Sequence, residues 1–169
     1  MWRLIIASTW FQLLWFLAVL GQTAYQYWML AAVTLTYLVS WQALSVRGLW
    51  IGVTALLGCG VDWVNSQANV LIFPQASLPV WLVALWFIFA WYATFLVPVV
   101  SQYPLRFVSI VGGVAGSLSY WAGFKFGAVQ FGFETFWSLF LLWLEWAILV
   151  AIIIRVLSHE KNSLVQGRD

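Results

Sequence analysis

The stretch LWIGVTALLGCGVDWVNSQANVLIF, residues 49–73, carries one acid, Asp62, near the middle of an apolar run long enough to cross a bilayer. Insertion scales charge about 2.5 to 3.5 kcal/mol for a carboxylate at the bilayer centre, so Asp62 is expected to face protein or trapped water. Positions 58, 62, 65 and 69 fall along one stripe of a helix, which puts Gly58, Asp62, Asn65 and Asn69 on a shared face with Ser66 beside it. Gly58 would admit a close neighbouring helix, and the two amides can hydrogen-bond a ligand, a water chain or that neighbour. Interhelical bonding alone would account for such a face; the convergence of several polar groups at one depth favours a functional site.

The rest of the chain agrees with a membrane setting. Of 169 residues, 64% are hydrophobic and only 7% charged, with a mean hydropathy of +0.96, more apolar surface than a soluble domain can hide. In lipid only helices and closed barrels satisfy every backbone polar group. The apolar runs here are long and continuous where barrel strands would alternate, so the fold class is all-α. Hydropathy and punctuation give six spans: Trp2 to Leu20, Tyr25 to Leu44, Leu49 to Phe73, Pro79 to Val100, Leu105 to Ala122 and Thr135 to Leu157. Short connections make sequence neighbours antiparallel. The expected organisation is a six-span transmembrane bundle over residues 1–157 and a polar tail over 158–169. With the N-terminus in the cytoplasm, Arg3, Arg47, Arg106, Arg155, Lys161 and Arg168 fall inside and only Lys125 outside, so both termini are expected in the cytoplasm. The first span, without a small-x-small cleavage site after it, is read as an uncleaved anchor, and the compact build suits a bacterial inner membrane.

Several chemistries are excluded or disfavoured. Net charge is +2 with no extended basic patch, which gives no sign of a nucleic-acid partner. Cys59 and His159 are each the only residue of their kind, so an intrachain disulfide and a Cys/His metal site are ruled out, and no metal or cofactor is expected. No Walker loop, dinucleotide fingerprint, HExxH or GxSxG occurs.

Glu145 stands near the middle of the sixth span and Gln12 near the middle of the first, at the depth expected for Asp62. If they meet, two carboxylates in a dry cavity would share a proton, and Asp62 and Glu145 become the candidate catalytic pair, with Gln12, Asn65 and Asn69 as ligand-binding groups. The fifth span is thinned by Gly112, Gly113, Gly116, Ser117, Ser119 and Gly123. Gly112-x3-Gly116 has the spacing of close helix packing, with Gly123 continuing the series, and Tyr120 is the polar handle for any ligand lodged beside this helix. Of the fourteen tryptophans, seven fall near span ends, where an interfacial belt accounts for them, and Trp10, Trp15, Trp63, Trp86, Trp91, Trp143 and Trp146 lie deeper. Trp10-x4-Trp15-Phe16 recurs as Trp81-x4-Trp86-Phe87, with Asp62 and Glu145 in the following third spans, the pattern of an inverted three-span repeat.

Three segments together resemble the bacterial inner-membrane family known as domain of unknown function 2878. They are Phe11-Gln12-x2-Trp15-Phe16-x2-Val19-x-Gly21, then Asp62 with Pro79-x-Trp81-Leu82-x2-Leu85-Trp86-x2-Phe89-Ala90, and finally Gly112-Gly113-Val114-Ala115-Gly116-Ser117-Leu118-Ser119-Tyr120-x-Ala122-Gly123-x3-Gly127-Ala128. Ser117 departs from the family's proline, and Glu145 lies outside the pattern. The resemblance implies no activity or catalytic residue; the frequent encoding of members near enzymes that modify fatty acyl chains implies a lipid-related task in the envelope.

The expectation is therefore an inner-membrane protein that binds, and in one version modifies, a lipid or other apolar ligand in an intramembrane cavity. A small proton-coupled transporter and a scaffold subunit are the alternatives. Membrane lipids, a second copy or another membrane protein are the expected partners.

Overall fold

A computed structural model of the chain describes residues 2–44, 48–75 and 77–166; Arg47 and Arg168, two of the cations used for orientation, lie outside them. The described residues form α1 (Trp2–Gly21), α2 (Gln26–Leu44), α3 (Gly48–Gln67), β1 (Leu71–Ile72), α4 (Val80–Val100), α5 (Leu105–Lys125), β2 (Gln130–Phe131) and α6 (Thr135–Gln166). Five of the six helices, α1, α3, α4, α5 and the Thr135–Leu157 part of α6, are long and apolar enough to cross a membrane. Each is apolar on all sides, as lipid on one face and protein on the other require. α4 is the core helix: more than half of its span is buried, against a third or less in the other four, and it packs against α1, α2, α3 and α6. α5 lies principally on α6. Both α4 and α5 start directly after a proline, Pro79 and Pro104, whose missing N–H costs nothing at a helix start.

The largest differences from the boundaries read in the sequence are at the ends of α3 and α6. α3 stops at Gln67, because Asn69 turns left-handed with φ 56°. The Val70 N–H then donates to the Asn65 carbonyl at 2.9 Å and the Asn69 N–H to the Ser66 carbonyl at 3.2 Å, a Schellman closure of the helix end. Asparagine is among the few residues other than glycine that adopt this conformation routinely, so hydropathy carried the span too far. α6 is helical to Gln166, because the Ser158 to Asn162 segment contains no glycine or proline to stop it, while its membrane-length part ends at Leu157 as read in the sequence.

The end of α5 repeats the closure of α3. Gly127 takes φ 71°, the Ala128 N–H donates to the Gly123 carbonyl at 2.8 Å, and the Gly127 N–H donates to the Phe124 carbonyl at 3.1 Å. Each closure leads into a two-residue strand, and the two strands pair antiparallel with Leu71 opposite Phe131 and Ile72 opposite Gln130. The helical hairpins α3–β1–α4 and α5–β2–α6 are thereby tied together at one end of the bundle, here called the β end. They correspond in spacing: Gly58 and Asp62 in α3 and Asn69 just after it stand at the intervals of Gly116 and Tyr120 in α5 and Gly127 just after it. The correspondence visible in the structure thus pairs Asp62 with Tyr120, where the tryptophan spacings had paired it with Glu145.

Candidate functional site

Gly58 and Gly116 determine how the two hairpins meet. A Cβ on Gly58 would enter the indole ring of Trp86 from α4, and a Cβ on Gly116 would enter that of Trp146 from α6. Each glycine therefore seats the tryptophan of its own hairpin. The two indoles stack on one another with ring centroids 5.2 Å apart and planes 16° from parallel.

One turn beyond each glycine, the side chains of Asp62 and Tyr120 meet. Side chains on a helix lean toward its N-terminus, so those of α3 and α5 lean away from the β end, while those of the antiparallel α4 and α6 lean toward it and reach the same level. The Tyr120 hydroxyl donates to Asp62 Oδ1, and the Trp86 indole N–H donates to Asp62 Oδ2 at 2.6 Å. Asp62 is 1% exposed, and the two donors that meet its carboxyl group, a phenol and an indole, are both neutral. Asn65, one turn further along α3 and also buried, donates from Nδ2 to Glu145 Oε2 of α6 at 2.6 Å. The resulting cluster draws on α3, α4, α5 and α6. The indole can only donate, which fixes Oδ2 as an acceptor, whereas the phenol can donate or accept. The bond between Tyr120 and Asp62 can therefore run in either direction, from the phenol to an ionised carboxylate or from a protonated carboxyl to the phenol, without disturbing the Trp86 contact.

Beside this cluster lies an apolar cleft of about 70 Å³, enough for several water-sized groups. Phe11 and Trp15 of α1 form one wall, Trp86 and Phe89 of α4 the floor, and Tyr120 and Gly123 of α5 the other wall. Trp86 and Tyr120 are thus shared between the cleft and the carboxyl group. The indole N–H of Trp15 donates to Ser119 Oγ at 2.9 Å and joins the two walls.

The expected site residues separate into three groups. Asp62, Asn65, Glu145 and Tyr120 come together, but Glu145 is half-buried and engages Asn65, with no direct hydrogen bond to Asp62. Gln12 and Asn69 do not join them. Gln12 is exposed on α1 because hydropathy gives depth but not rotation about the helix axis, and Asn69 is exposed because it serves the helix closure. Asp62 itself sits five residues before the end of α3, about 7.5 Å of helical rise, and so off the centre of its span. Gly112 and Gly116 both face α6, Gly112 against Val150 and Gly116 against Trp146, while Gly123 faces the cleft and Val129 instead of a helix. Trp86 is the participant that sequence reasoning left among generic deep tryptophans. The equal interval of Gly58 to Asp62 and Gly116 to Tyr120 marks the paired turns of α3 and α5 but not this tryptophan of α4.

Among the described residues no group of acids, cysteines and histidines could hold a metal ion. No curated protein and no solved structure matches the chain. A family model described as "Protein of unknown function (DUF2878)" matches residues 4–152, which is most of the 169. The chain accordingly belongs to the DUF2878 family of proteins of unknown function.

Proposed function

We propose that this protein is a multi-pass inner-membrane protein, with both ends in the cytoplasm, that binds a lipid or other apolar molecule in the cleft between α1, α4 and α5. Tyr120 and Asp62 provide the polar end of the site. The observation that carries this reading is the double role of Trp86 and Tyr120: the two donors to a buried carboxyl group are also walls of an apolar cleft. A stretch of a few carbons of an acyl or isoprenoid chain suits the aromatic and aliphatic lining and the size of the cleft, and a hydroxyl or carbonyl beside that stretch would reach the Tyr120 phenol. Through the phenol, Asp62 could exchange a proton with such a group, which is where a modifying activity would begin.

The test uses the full chain in lipid nanodiscs with a fatty acid carrying a photoactivatable diazirine near its methyl end. Cross-links mapped to Phe11, Trp15 or Phe89, reduced by the cleft-filling Gly123→Leu, are the expected result. Labelling confined to lipid-facing side chains such as Leu56 and Ile148, unchanged by Gly123→Leu, would overturn the reading. Comparing lipid extracts of deletion, wild-type and Asp62→Asn strains then separates binding from chemistry. A pH-driven solute flux in proteoliposomes that is lost in Asp62→Asn, without cleft labelling, would assign the chain to transport instead.

A further inference from the structure

Gln12 has no role in the cleft or in the carboxyl cluster, yet it occupies the midpoint of α1, which spans Trp2–Gly21. The other hydrogen-bonding side chains of this helix reach into the bundle: Ser8 donates to Tyr92, Trp10 to Thr36 and Trp15 to Ser119. Gln12 is exposed on the flank of the helix, one turn on from Ser8, as is Thr9 one turn before it. Ile5 and Phe16 are exposed on the same side, so positions 5, 9, 12 and 16 alternate steps of four and three, the seam spacing of two helices wound around each other. At the depth of the hydrocarbon core there is no water for the amide to bond, and lipid tails offer no partner.

We infer that α1 is the contact between two copies of this chain, paired about a two-fold axis normal to the membrane with Gln12 bonded to Gln12. A primary amide is self-complementary: it presents two donors and an acceptor with two lone pairs, so two amides facing each other satisfy one another. A second copy inserted with the same topology necessarily carries its own amide at the same depth and on the same face. A partner of another kind would need an independent polar group at that level. The symmetric contact uses one patch twice, the commonest arrangement in soluble homo-oligomers. α1 keeps its contacts with α4 and α2, so pairing displaces no helix of the monomer.

The experiment measures self-association of the full chain in liposomes by single-molecule photobleaching across a range of protein-to-lipid ratios. A monomer–dimer equilibrium is expected, weakened about tenfold or more by Gln12→Leu, since interhelical side-chain bonds are the main polar contribution to such contacts, and retained by Gln12→Asn. In a Cys59→Ser background, Ile5→Cys and Phe16→Cys are expected to form disulfide-linked dimers under mild oxidation, whereas Leu57→Cys on α3 and Ile148→Cys on α6 are not. Gln12 is exposed, so its substitution leaves the interior packing of the monomer alone. A monomer at every density, an unchanged equilibrium in Gln12→Leu, or cross-linking from α3 or α6 in place of α1 would overturn the inference.

Discussion

Three tyrosines supply a graded test of the carboxyl cluster, because Tyr→Phe removes one oxygen and leaves the ring. Tyr120 donates to Asp62, Tyr37 donates to the Phe87 carbonyl at 2.8 Å, and Tyr92 accepts from Ser8 at 3.2 Å while its ring stacks on Phe11. Side-chain hydrogen bonds between membrane helices contribute about 0.6 kcal/mol on average and about 1.7 at most. Tyr37→Phe should fall near that average, and Tyr92→Phe, which loses a long bond to a half-buried hydroxyl, at about 0.3 kcal/mol. Tyr120→Phe differs in kind, since it leaves Asp62 Oδ1 buried with no donor, and an unpaired buried acceptor costs about 1–3 kcal/mol. The expected order is therefore Tyr120 first, at about 2 kcal/mol, then Tyr37, then Tyr92. Steric trapping in bicelles measures each unfolding free energy. A Tyr120→Phe loss within about 0.5 kcal/mol of the Tyr92→Phe loss would refute the argument that the carboxyl group depends on the phenol.

The remaining expectations concern packing, closure and polar pairing. Gly58→Ala and Gly116→Ala place a methyl group in the rings of Trp86 and Trp146 and should each cost about 1–3 kcal/mol, whereas Gly60→Ala, which meets nothing within 4 Å, should be neutral or stabilising by up to about 1 kcal/mol; thermal unfolding in detergent ranks them. Asn69→Gly should leave stability unchanged and Asn69→Val should lower it by about 1–2 kcal/mol, because a branched side chain resists a φ of 56°; the same assay applies. Glu145→Gln keeps an oxygen to accept the Asn65 amide and should be well tolerated. Asn65→Leu strips the acid of its donor and should cost about 1–3 kcal/mol, read by steric trapping. Asp62→Asn should retain the fold, since its carbonyl can accept from Trp86 while Tyr120 reverses to accept from the new amide; circular dichroism of the purified variant checks this.

Sequence patterning was informative where one dimension suffices. Continuous apolar runs located all six helices, because the absence of water forces the backbone to satisfy itself within each segment. The inward placement of Asp62 and Asn65 was legible for the same reason, since a carboxyl group with an amide on the same stripe has nowhere else to go. Rotation and partner choice were not legible. Gln12 stands at the middle of α1 while Asp62 stands near the end of α3, and Glu145 reaches Asn65 because of how α6 lies against α3, which no spacing within either helix encodes. Asn69 continued the stripe arithmetically, yet the backbone had already left the helix. Trp86 was hidden by abundance: among fourteen tryptophans, a glycine seats Trp146 as well as Trp86, and nothing local marks the one whose N–H is committed to the acid.

The matched hairpins give the molecule two homologous seats for a functional side chain, and the acid occupies only one. Exchanging the occupants, Asp62→Tyr with Tyr120→Asp, would preserve the couple while transferring the acid from α3 to α5 and the phenol away from the wall that borders the cleft. On the α3 side the next turn presents Asn65 and its link to Glu145; on the α5 side the equivalent position is Gly123, with no side chain at all. The handedness of the site is thus set by which twin carries the acid, and a near-symmetric frame acquires a front and a back from a single residue.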